Sequence, residues 1–68
     1  MNMEVLENIH NNLLNGNRRD CVKLINEYGL SEFFADYKDY LENLYFEKSA
    51  QLQYFADMTI SFFRITNR

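Results

Sequence analysis

Gly16 and Gly29 are the only glycines in this chain of 68 residues, and it contains no proline. With so little to break a helix or force a turn, these two positions are the strongest punctuation available, and they divide the chain into three pieces. In the first piece Val5, Leu6, Ile9, Leu13 and Leu14 recur at helical spacing. Glu4 and Glu7 lie in its early turns, where the helix dipole favours acids. A helix from about Met3 to Asn15 is expected. The connector "NGN" then offers Asn15 and Gly16 as a C-terminal cap and Asn17 as the N-cap of the next helix. The second piece sets Cys21, Val22, Leu24, Ile25 and Tyr28 against Arg19, Lys23 and Glu27, which predicts a helix over Arg18 to Tyr28 ended by Gly29.

The third piece opens with Ser31, a good N-cap, and Glu32 behind it. Its apolar seam runs through Phe34, Tyr37, Leu41 and Leu44, meets Lys48 and Gln51, and resumes at Phe55, Met58, Phe62 and Ile65. The polar pair in the seam admits two readings: one long helix with a polar notch, or a turn near Glu47 to Ser49 with Ser49 capping a new helix. The tail "MTISFFRIT" is rich in β-branched and aromatic residues, but no second strand candidate exists for it to pair with, so a helix is expected there too. The fold class is therefore all-α: a single domain over residues 1–68, with three helices including a long C-terminal one, or four if the chain breaks near Lys48.

Within the third piece, "DYKDYLENLYFEKS" looks like engineered tag sequence. Its Tyr37, Tyr40, Leu41, Leu44 and Tyr45 nevertheless continue the stripe begun at Phe33 and Phe34, while Asp36, Asp39, Glu42 and Asn43 fill the opposite face. Tags have no such period, so the stretch reads as native helix.

A chain this short has a core that only just offsets the entropy lost on folding, and usually needs disulfides, a metal, dense packing or a partner. One cysteine, Cys21, and one histidine, His10, remove the first two options. Hydrophobic residues make up 47% of the chain and aromatics 16%, a large apolar load for so small an interior. Some of those rings are expected in an interface, where aromatics and Met are favoured. The net charge of −3 argues against a dedicated nucleic-acid binder. No apolar run approaches the ~20 residues of a membrane span. The lone cysteine and the lack of a charged-then-apolar leader place the expected location in the cytoplasm.

In layout, a leucine-rich helix with Leu13, Leu14 and Gly16 at its turn, a second helix carrying Cys21 and Leu24, and a last helix entered through Ser49, Ala50 and Gln51 resemble the four-helix cap that precedes corrinoid-binding domains. The Glu-His pair usual in that family's last helix stands here as Gln53 and Tyr54, and its preceding Trp is missing. The resemblance implies a four-helix architecture and, as one functional alternative, a ligand-sensing cap. No cofactor is assigned from it.

Candidate chemistry is sparse. One histidine and a nearby Glu7 cannot fill a tetrahedral metal site, so His10 is expected as an exposed or half-buried helix residue. Cys21 has Arg18 and Arg19 close by to lower its pKa, but no base beyond His10, and reads as a small core cysteine. Arg18, Arg19 and Lys23 form a basic spot at the start of the second helix, a candidate anion or nucleic-acid contact in a small DNA-associated regulator. Paired carboxylates such as Asp36 and Asp39, or Glu42 and Glu47, read as a solvated face. No catalytic, cofactor or metal set emerges. The last third is apolar nearly all round, and such a helix needs cover on more than one face. Phe55, Met58, Phe62, Phe63 and Ile65 are accordingly the expected interaction residues. The expected role is a non-enzymatic interaction or regulatory module, a homodimer or the binder of a protein partner. Size and Asn-rich composition suggest a phage or mobile-element origin.

Overall fold

A computed structural model describes residues 1–66, with side chains described through Phe63. Four helices follow one another: α1 (Met3–Leu14), α2 (Arg18–Tyr28), α3 (Leu30–Leu44) and α4 (Lys48–Thr66). Among the described residues there is no strand, and the β-branched tail is helical as far as Thr66.

The glycines act where the sequence places them. Gly16 has φ 77°, its N–H donates to the Leu13 carbonyl, and the Asn17 N–H reaches back to the Asn12 carbonyl at 2.8 Å. That pair of bonds is the Schellman closure of a helix, with glycine at its left-handed position. Asn17 does precede α2, but its side chain makes no cap. The amide instead donates to the Asn12 side chain. Gly29, at φ 103°, is the whole connection between α2 and α3: its N–H donates to Ile25 and its carbonyl accepts from Phe33. Helix α3 thus starts at Leu30, one residue before the expected cap Ser31. An N-cap not foreseen from sequence is Asn2, whose Oδ1 accepts from the Val5 N–H.

The chain also breaks after Leu44, without glycine or proline. Tyr45 leaves the helix in an extended conformation (φ −121°, ψ 131°). Its N–H still closes on Leu41, and its carbonyl accepts from Gln51 Nε2 at 2.6 Å. The backbone N–H of Gln51 closes the first turn of α4 on the Glu47 carbonyl at 3.2 Å. Ser49, expected to cap the new helix, lies inside its first turn. The polar notch in the seam is therefore the brace of a turn.

The core is built from Leu6, Ile9 and Leu13 of α1, Cys21 and Ile25 of α2, Phe33, Tyr37, Tyr40 and Leu41 of α3, and Met58 of α4. Phe33 stacks on Tyr37 at 5.0 Å between ring centroids, and Tyr37 on Tyr40 at 6.0 Å. Tyr28 ties the N-terminal end to α3, donating to Asp36 Oδ2 at 2.6 Å while accepting from the Asn2 N–H. The expected seam holds at Tyr37 and Leu41, both buried, and departs at its two ends, Phe34 and Leu44. Phe33 is fully buried, Phe34 half-buried and Leu44 exposed, because α3 must face α1 and α2 as well as α4.

Candidate functional site: a sealed histidine and an open helix face

Two features stand out, one inside the molecule and one outside. Inside, His10 is 2% exposed, which corrects the expectation of an exposed or half-buried side chain. The reason lies in spacing: His10 is four residues after Leu6 and three before Leu13, so it shares their inward row. Both ring nitrogens are engaged, Nδ1 with the Tyr37 hydroxyl and Nε2 with the Tyr45 hydroxyl, each at 2.9 Å. Four of the chain's five tyrosines surround the imidazole, with Tyr37, Tyr40, Tyr45 and Tyr54 at centroid distances of 6.0, 5.6, 5.7 and 5.1 Å. Tyr45 also stacks on Tyr54 at 5.2 Å, so the imidazole joins α1, α3, the α3–α4 turn and α4.

The electrostatics of this cluster favour neutral groups. Burial lowers the pKa of His10. Burial likewise raises the phenols of Tyr37, Tyr40 and Tyr45, helped at Tyr40 by the Glu7 carboxylate and at Tyr45 by the Tyr54 hydroxyl. A neutral imidazole that donates from one nitrogen and accepts at the other satisfies both partners. Cys21 is fully buried, its thiol donates to the Ile9 carbonyl at 3.4 Å, and burial followed by Asp20 pushes its pKa up to about 11. That is the opposite of the lowering that Arg18 and Arg19 could have supplied to a nucleophile. Among the described residues no three of His, Cys, Asp and Glu gather as a metal site.

Outside, α4 divides the expected interaction residues. Met58 is fully inside the core, Phe55 and Phe62 are half-buried against it, and Phe63 is 67% exposed. The side chain of Ile65 lies outside the described residues. Two residues outside the expected interaction set join Phe63 on the surface: Leu52 at 70% and Ile60 at 54% exposure. Their signal was available in the position of each relative to Met58, the residue the helix turns inward. Beside Leu52, a cavity of about 200 Å³ opens between α3 and α4, walled by Leu41, Leu52 and Phe55 with Lys38 and Gln51 also lining it.

Arg18, Arg19 and Lys23 are exposed on α2. Lys23 shares a shallow depression with Asp20, Glu27, Asn12 and Leu24, so two acids line it beside that one cation. None of the described helices is long and apolar enough to cross a membrane. No family model, curated protein or solved structure matches the chain, and the likeness to corrinoid-domain caps rests on sequence layout alone.

Proposed function

We propose that this protein is a small non-enzymatic helical interaction module that self-associates through the outer face of α4. The observation that carries this reading is the exposure of Leu52, Ile60 and Phe63 on one helix of so small a domain. Between Leu52 and Phe63 the only charged residue is Asp57, which is half-buried. An apolar, nearly uncharged helix face held on a packed core is what a docking surface requires. The reading is further supported by the state of the reactive side chains, because His10 is paired at both nitrogens and the Cys21 thiol is enclosed.

The experiment is light scattering on the eluting protein, for the wild type and for Leu52→Asp and Ile60→Asp. Both residues are exposed, so each variant is expected to keep the helical circular dichroism of the wild type while its mass falls to that of the monomer. A mass unchanged by both substitutions overturns the assignment to this face. Phe62→Asp is a poor probe, since Phe62 packs against the core and its loss confounds folding with docking.

A further inference from the structure

The open face of α4 carries a row of four exposed residues, Leu52, Ala56, Thr59 and Phe63, at spacings of four, three and four. At 3.6 residues per turn these spacings keep the row on one narrow stripe, the alternation used by coiled-coil seams. Their sizes run large, small, small, large, which reads the same from either end. Turned about a two-fold axis between positions 57 and 58, the row meets itself with Leu52 opposite Phe63 and Ala56 opposite Thr59. The small pair lies at the crossing, where it lets two backbones approach, and the bulky pairs fill the ends.

Covering this row leaves little unsatisfied. The Thr59 hydroxyl already donates to the Phe55 carbonyl at 2.9 Å, so it enters a dry contact with its hydrogen bond made. Asp57 lies off the row, and like charges therefore do not face one another across the axis. The cavity beside Leu52 has apolar walls in Leu41, Leu52 and Phe55, and lies next to the end of the row that meets the partner's aromatic ring.

We propose that the partner is a second copy of this chain, docked antiparallel on α4, with Phe63 of each copy seated on Leu52 and in the α3–α4 groove of the other. The contact is isologous, as two-fold dimers require. The proposal rests on the reading that the α4 face self-associates, and adds its orientation and its pocket. A parallel pairing sets Leu52 on Leu52 and Phe63 on Phe63, and leaves both grooves without a ring.

Disulfide trapping separates the cases. Leu52→Cys and Phe63→Cys, one of them carrying a mass tag, are mixed and mildly oxidised at a concentration where sedimentation shows each to be dimeric. In the antiparallel dimer like positions stand about 16 Å apart along the axis, from 1.5 Å per residue, beyond the ~7 Å that a disulfide spans. Mixed 52–63 crosslinks are expected at least tenfold over like-with-like ones. The buried Cys21 does not compete, and a Cys21→Ala background is expected to give the same pattern. Like-with-like crosslinks, or none in a dimeric sample, overturn the antiparallel arrangement and leave self-association standing. A wild type that is monomeric at every concentration overturns the self-association reading itself.

Discussion

His10 is held where a charge has no carboxylate to meet it, since both of its nitrogens face tyrosine hydroxyls. Protonation makes both nitrogens donors, so the hydroxyl hydrogen that pointed at the ring loses its acceptor inside the core. The cost adds to the burial that already lowers the pKa of His10 below its ordinary 6.5. Between the unfolded value near 6.5 and the lower folded value, the unfolded chain binds more protons, so stability rises with pH across that window. It is complete above pH 6.5 and is lost progressively as pH falls. We expect the melting temperature to be flat from pH 8 to 7 and to drop from about pH 6.5 to 5, before most carboxylates titrate. His10→Gln, which keeps a donor and an acceptor, is expected to abolish the drop. A wild type equally stable at pH 7 and 5 contradicts this account of the cluster.

At the scale of elements, what could be read in advance depended on how local the causes were. The ends of α1 and α2 were legible because Gly16 and Gly29 act through their own backbone conformation. The end of α3 was not, beyond an ambiguity at Lys48. Tyr45 is drawn toward His10, far away in sequence, and toward Tyr54 on the next helix, with Gln51 closing on the freed carbonyl. Local propensity alone would have continued the helix, and tertiary contacts overrode it. Gln51→Ala tests that brace. Alanine is the better helix former, so propensity alone predicts a small gain in stability. Loss of a part-buried hydrogen bond instead costs about 1 kcal/mol, a fall of roughly 4–8 °C in the melting temperature of a domain this size. Circular dichroism melts decide between the two signs. The burial of His10 was written in its spacing from Leu6 and Leu13, but its partners were not. Tyr37 and Tyr45 lie on a different helix and a turn whose approach no local pattern encodes.

For the whole molecule, the apolar surplus visible in the composition divides between a ten-residue core cluster and exposed side chains, of which Leu52, Ile60 and Phe63 share α4 while others, Phe46 most exposed among them, lie elsewhere. The seam of α4 was readable as one stripe, yet which of its rings go inward depends on how α4 is rotated against α3 and α2. Met58 turned in with the seam, Ile60 and Phe63 turned out as their places off the seam suggest, and Leu52, which the seam passed over, joined them outside. Small domains commonly complete their stability by association, and the proposal is that this chain does so through the α4 face. Sedimentation equilibrium of the wild type over nanomolar to hundred-micromolar concentration tests that claim most directly. The account predicts an average mass rising from the 8.2 kDa of one chain to twice that value through the micromolar range, while a single monomeric mass throughout contradicts it.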